Sequence, residues 1–143
     1  MLRILIADDE YLAIEAVKKI IKNNIEDVNI VATASSGKEA IIKVNELSPD
    51  IAIMDIQMPG IDGLEAIRQI KASNPNILFI VLTAYDLFDY AKESIGLGAV
   101  EYLLKPIKKD QLLMAIEKAS KIVKSKQIQN KWEYELEEKL TLV

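Results

Sequence analysis

The chain contains neither histidine nor cysteine. The first absence removes the commonest general base, every imidazole metal ligand and any internal phosphohistidine. The second excludes disulfides and thiol chemistry, and it allows a reducing compartment. Long apolar runs are missing too, since no stretch approaches the roughly 20 apolar residues that span a bilayer. The early run Leu2–Ala7 meets acid at Asp8, so no signal peptide is expected. Nor does one sign of charge dominate. Eighteen basic and 22 acidic residues leave a net charge of −4, which argues against a broad polyanion-binding surface. A cytoplasmic protein with no membrane contact is expected.

What is present is 143 residues, 50% apolar and 28% charged, the length and composition of one globular domain with its own core. Short β-branched runs alternate with longer stretches of helical period. Strands are predicted at 3–7 (RILIA), 29–34 (NIVATA), 50–54 (DIAIM), 77–83 (ILFIVLT) and 99–103 (AVEYL). Three of these runs are nearly continuous in apolar residues, as parallel strands covered on both faces require. Between them lie helical stripes: Ala13, Val17, Ile20 and Ile21; Ala40, Ile41, Val44 and Leu47; Leu64, Ile67 and Ile70; Phe88, Ala91 and Ile95. Gly96 and Gly98 suit the end of the fourth helix. A fifth stripe, Leu112, Leu113, Ile116 and Val123, follows Pro106. Ser36 and Asp62 are predicted N-caps, each with a glutamate three residues on. Five β–α pairs in alternation predict an open, doubly wound parallel α/β sheet with helices on both faces and right-handed crossovers.

In such sheets the ligand site lies outside the carboxyl ends of the strands. The first strand runs into Asp8, Asp9 and Glu10, the third into Asp55, the fourth ends at Thr83-Ala84 and the fifth at Lys105-Pro106. Two carboxylates about 4 Å apart repel by about 4 kcal/mol at an effective dielectric near 20, so an acidic rim needs compensation. A cluster of oxygen ligands without histidine or cysteine suits a hard cation, Mg²⁺ above all. With the acids neutralised, Asp55 can attack phosphorus as a carboxylate nucleophile. Lys105 can balance phosphoryl charge, and Thr83 can donate to a phosphoryl oxygen. Each residue has an ordinary reading in isolation. Asp8-Asp9 fits a solvated strand end, Asp55 a turn, Thr83 a strand position, Lys105 a surface lysine and Tyr102 a core aromatic. Their meeting on one rim is what the functional reading needs.

Taken together, Asp8-Asp9, Asp55 in "MDIQMPGIDG", Thr83-Ala84 and "YLLKP" resemble the CheY-like receiver domain of two-component response regulators, over about residues 1–122. The resemblance implies a flavodoxin-like strand order 2-1-3-4-5. It implies phosphorylation of Asp55 by a sensor histidine kinase, with Mg²⁺ held by Asp9, Asp55 and the backbone carbonyl of Gln57, and Asp8 reaching it largely through water. It further implies a phosphate site of Thr83, Ala84 and Lys105, a switch pair of Thr83 and Tyr102, and a cis bond between Lys105 and Pro106. Phosphorylation would then drive homodimerisation through the fourth helix, fifth strand and fifth helix, about residues 86–118. Gln57 and Tyr85 depart from the commonest pattern beside the phosphorylation site, which points to tuning of the dephosphorylation lifetime.

The stretch "LTAYDLFDYAKESIGLGAVEYLLKPI" is similar to receivers of the AraC/YesN type, whose full-length members carry a C-terminal DNA-binding domain of two helix-turn-helix units. On that resemblance the output is transcriptional, and DNA is bound only through an effector domain that this sequence lacks. Residues 123–143 are then an extended helix or linker toward it. Within this tail Ile128, Trp132, Leu136, Leu140 and Val143 form one stripe. It packs on its own domain or pairs between protomers. A stand-alone receiver acting through protein contacts is an alternative. So is a phosphatase of the haloacid dehalogenase type, although that family's D-x-D nucleophile motif belongs on the first strand and position 57 here is Gln.

Overall fold

Five runs of aliphatic and β-branched residues form one parallel sheet in the computed structural model, which describes residues 1–84, 93 and 95–141. The strands are β1 (Leu2–Ala7), β2 (Val28–Ala34), β3 (Ile51–Asp55), β4 (Leu78–Thr83) and β5 (Ala99–Leu104). Their order is β2-β1-β3-β4-β5. β1 therefore has β2 on one side and β3 on the other, and the direction of winding switches between them. That switch fixes where the carboxyl ends open a crevice. β3 extends one residue further than the sequence pattern predicts, and Asp55 stays in the ladder opposite Leu82. Its backbone is held by the sheet, not by a loop.

Every residue of β3 and β4 is buried, so these strands are covered on both faces. Alternation sorts their side chains into two cores. Ile4, Ile6, Ile53 and Ile80 meet Ile14, Val17 and Ile21 of helix α1 (Tyr11–Asn24) and the start of the C-terminal helix. Leu5, Met54, Phe79 and Val81 meet α2 (Gly37–Leu47) and α3 (Gly63–Ser73) on the other face. In α1 the fully buried row is Ile14, Val17 and Ile21, while Ala13 and Ile20 lie at its margins. Burying one such side chain contributes about 1.5–3 kcal/mol, so these two layers outweigh any single cap or ion pair.

The caps fix where α2 and α3 start. Ser36 Oγ accepts from the Glu39 N–H at 3.1 Å, and Asp62 Oδ1 from the Glu65 N–H at 2.9 Å. The return half of the capping box is not made. Glu39 reaches Lys43 at 2.7 Å and accepts from the Ser35 N–H, and Glu65 pairs with Arg68.

The C-terminal helix, α4, is continuous from Lys109 to Thr141. Its first turns pack on the sheet through Leu112, Ala115, Ile116 and Ala119. Beyond Val123 it leaves the domain, and Ile128, Trp132, Leu136 and Leu140 are all more than half exposed. The tail stripe thus does not pack on its own domain. Phe88 and Ala91 of the predicted fourth helix, together with Tyr85 and Val143, lie outside the described residues. No helix among the described residues is long and apolar enough to cross a membrane.

Candidate functional site

Two strand ends build the site by the same local device. After β1, the Asp8 N–H donates to the Ala34 carbonyl at 3.0 Å, which keeps Asp8 in line with the sheet. The Glu10 N–H then donates back to Asp8 Oδ1 at 2.9 Å. After β3, the Ile56 N–H donates to the Leu82 carbonyl at 3.1 Å, and the Gln57 N–H to Asp55 Oδ1 at 3.0 Å. Aspartate favours this bond to its own backbone two residues on. Each carboxylate has one oxygen tied down in this way and its Oδ2 left to face the crevice.

Lys105 meets both Oδ2 atoms. Its backbone N–H donates to the Thr83 carbonyl at 2.7 Å, which anchors the end of β5 to the end of β4. The bond from Lys105 to Pro106 is cis. The ammonium then lies 2.7 Å from Asp8 Oδ2 and 3.0 Å from Asp55 Oδ2. Three residues distant in sequence are thereby in direct contact. Asp8 is 2% exposed and Asp55 4%, so these charges are poorly screened.

Burial pushes the Asp55 carboxyl above the usual carboxylate range, and the Asp8 charge adds to this. The Gln57 N–H and Lys105 oppose the rise without cancelling it. For Lys105 burial acts downward, yet the two facing carboxylates of Asp8 and Asp55 prevail and hold the ammonium above its ordinary value. Asp8 Oδ2 is buried and accepts no well-aligned hydrogen bond from the described residues, so its contact with Lys105 is an ion pair alone.

Asp9 and Glu10 are exposed beside Asp8, and one carboxylate oxygen from each of the three lies within 4.8 Å of the others. Asp8 and Asp9 are the ligands expected from the sequence, and Glu10 stands with them as the next residue of an unbroken acidic run at a strand end. Gln57 is exposed, with its backbone against Asp55. Thr83 is buried at the end of β4, and Ala84 is exposed next to it. Tyr102 stands opposite Val81 and packs on the α2–α3 face. Val81 and Thr83 are two positions apart on β4, so Thr83 and Tyr102 share one face of adjacent strands.

Gly63 is a residue that sequence patterning passed over. A Cβ there would lie 2.3 Å from the Asp55 carbonyl oxygen and 2.7 Å from Ile56 Cα. The start of α3 is thus seated directly on the backbone of Asp55, and the Gly63 N–H donates to the Ile56 carbonyl at 2.7 Å. Gly37 at the start of α2 is equally tight, with a Cβ 2.6 Å from the Ile61 carbonyl.

The model of the response regulator receiver domain family matches residues 4–117. The uncharacterized transcriptional regulatory protein YesN of Bacillus subtilis is 36% identical over 131 residues, covering 92% of this chain and 36% of YesN. The chemotaxis protein CheY of Listeria monocytogenes is 40% identical over 121 residues, covering 85% of this chain and all of CheY. Among solved structures, the REC domain of AraT, a response regulator from Geobacillus stearothermophilus, superposes with a TM-score of 0.76 at 33% identity, covering 90% of this chain and 98% of that one. The chain spans 36% of YesN and 55% of the transcriptional regulatory protein YxjL. Sheet order, family match and these relatives agree: the chain belongs to the family of response regulator receiver domains of two-component systems.

Proposed function

We propose that Asp55 accepts a phosphoryl group from a sensor histidine kinase and that the aspartyl phosphate switches a protein-binding surface. The observation that carries this reading is the single ammonium of Lys105 held between the buried carboxylates of Asp8 and Asp55. An acid buried with a paired cation, at the crevice of an open α/β sheet, is placed for group transfer and not for solvation.

The donor set fits Mg²⁺. It offers carboxylate oxygens at Asp8, Asp9 and Glu10 within 4.8 Å of one another, a buried Asp8 oxygen without a hydrogen bond, and no soft ligand. Asp8, Asp9, Asp55 and the Gln57 carbonyl would hold the ion. When bound, Mg²⁺ neutralises the acids and the incoming phosphoryl oxygens.

The chain's own residues do the rest. A carboxylate oxygen of Asp55 forms a bond to phosphorus while the bond from phosphorus to the donor breaks. The Gln57 N–H keeps the carboxylate oriented during this exchange. Lys105 follows the negative charge from the carboxylate onto the phosphoryl oxygens, as its long stem permits. The Thr83 hydroxyl and the backbone N–H of Ala84 supply hydrogen bonds to the same oxygens. Thr83 moves toward them, and Tyr102, on the same face, fills the space it leaves. Full inversion of a 1:99 population takes about 5.5 kcal/mol of differential interaction, within reach of a few charge-assisted bonds and the metal.

The output is homodimerisation through the surface around 86–118, of which residues 86–92 and 94 lie outside the described residues. In a longer protein of the YesN kind this would regulate transcription through a further domain in the cytoplasm. Residues 1–122 form the receiver, and 123–143 lead out of it. Intact mass after treatment with acetyl phosphate tests the reading. The mass of one phosphoryl group should appear on the wild type only with Mg²⁺, and on Asp55→Asn not at all. Equal labelling of Asp55→Asn would refute it.

A further inference from the structure

Glu65 and Arg68 stand three residues apart in α3, so they face each other across one helical turn. Arg68 Nη1 lies 3.1 Å from Glu65 Oε2, and Gln69 Nε2 donates to Glu65 Oε1 at 3.3 Å. With one nitrogen of Arg68 set in this way, its Nη2 pairs with Glu93. A guanidinium suits the task, since its donors form a rigid planar fork. Glu93 belongs to the stretch that leads into β5. The Leu97 N–H donates to the Glu93 carbonyl at 3.0 Å, and Leu97 packs on the α2–α3 face two residues before β5 begins.

Lys71, one turn beyond Arg68 on the same face of α3, touches this stretch as well. Its Cε and Nζ lie 3.3 Å from where a Cβ would stand on Gly98. One face of α3 thus meets the 86–118 surface at Glu93 and again at Gly98. The start of the same helix is seated on the backbone of Asp55 and Ile56 through Gly63. α3 therefore joins the backbone of the phosphoacceptor to the surface that is to be switched. In the structure the Lys105 ammonium spans Asp8 and Asp55. That placement belongs to the site before Asp55 carries a phosphoryl group, so the Arg68–Glu93 pair belongs to the resting arrangement.

We propose that Arg68 is a latch, which holds the stretch at Glu93 against α3 in the resting state and is released when phosphorylation of Asp55 moves the 86–118 surface. The inference rests on the phosphoacceptor reading above and adds the contact that opposes switching. The side chains of Arg68 and Glu93 are 43% and 41% exposed, so water and salt screen the pair. A latch of this strength sets the resting population without locking it.

Beryllofluoride with Mg²⁺, an analogue of the phosphoryl group on Asp55, tests the latch by calorimetric titration. A ligand that favours the switched state binds more tightly once the resting state loses a contact. Arg68→Ala and Glu93→Ala should each bind beryllofluoride about two- to fivefold more tightly than wild type, the range of an exposed ion pair. The double variant should gain no more than either single one, because both remove the same contact. Melting in chelator separates the latch from general damage. A variant that merely loosened the fold would melt lower without binding the analogue more tightly. Single variants with wild-type or weaker affinity, or gains that add in the double variant, would overturn the latch and leave the phosphoacceptor reading standing. Wild type that takes up no beryllofluoride, or Asp55→Asn that takes up as much, would overturn both.

Discussion

Lys105 Nζ lies 3.0 Å from Asp55 Oδ2, joining two residues fifty positions apart. The contact is possible because the Lys105 N–H is already bonded to the Thr83 carbonyl, which brings the end of β5 level with the crevice. It also carries a debt, since the same ammonium is the ion-pair partner of buried Asp8.

Replacing it exposes that debt. Lys105→Met leaves two buried carboxylates facing each other. Breaking a fully buried pair costs about 3–5 kcal/mol, and the residual exposure of Lys105 lowers the expectation to about 2–3 kcal/mol. Urea unfolding in the presence of a chelator measures it. The same variant should bind Mg²⁺ more tightly than wild type, because a competing cation has gone, and calorimetric titration reads that directly.

Asp55→Asn should melt higher than wild type at neutral pH in chelator, by about 2–4 °C for a gain near 1 kcal/mol. Burial raises the folded Asp55 carboxyl above its unfolded value, so the folded state binds this proton more readily than the unfolded chain. Stability is then lost as pH rises from the ordinary carboxylate range through the raised folded value. The gap between the variant and wild type should therefore close as pH falls into the ordinary range. A gap that widened on acidification would show that Asp55 stabilises the metal-free fold.

Gly63→Ala should cost about 2–3 kcal/mol, the upper part of the overpacking range, because the added carbon meets the backbone of Asp55 and Ile56 and not a flexible side-chain tip. It should also slow acylphosphate formation by shifting Asp55. Gly96→Ala is the control. Nothing lies within 4 Å of a Cβ there, and its melting should match wild type closely.

The sheet was legible in the sequence because strands covered on both faces read as nearly unbroken runs such as ILFIVLT, and because Ser36 and Asp62 mark helix starts. The rim was legible because strand ends carry their acids, hydroxyl and lysine as the last residue or the next. Gly63 was not, since its role comes from α3 pressing on β3, a tertiary contact with no periodic trace. Nor could the tail's two readings be separated by pattern alone. An apolar stripe looks the same whether it packs inward or projects, and the exposure of Trp132 and Leu136 shows that it projects.

Gln57 donates its N–H to Asp55, the proposed phosphoacceptor, and its side chain is exposed. Gln57→Ala should change the decay rate of the acylphosphate while leaving labelling by acetyl phosphate intact. An unchanged lifetime would remove Gln57 from the control of hydrolysis.

The most direct measurement is the position of the acylphosphate itself. Phosphodonor and Mg²⁺ are added, the acyl bond is reduced with borohydride, and the resulting homoserine is located by peptide mass spectrometry. Homoserine at position 55, dependent on Mg²⁺, is the expected result. Homoserine at Asp8 or Asp9, or labelling at 55 indifferent to chelation, would contradict the proposal that the acids of this rim gather a cation so that Asp55 can carry the phosphoryl group.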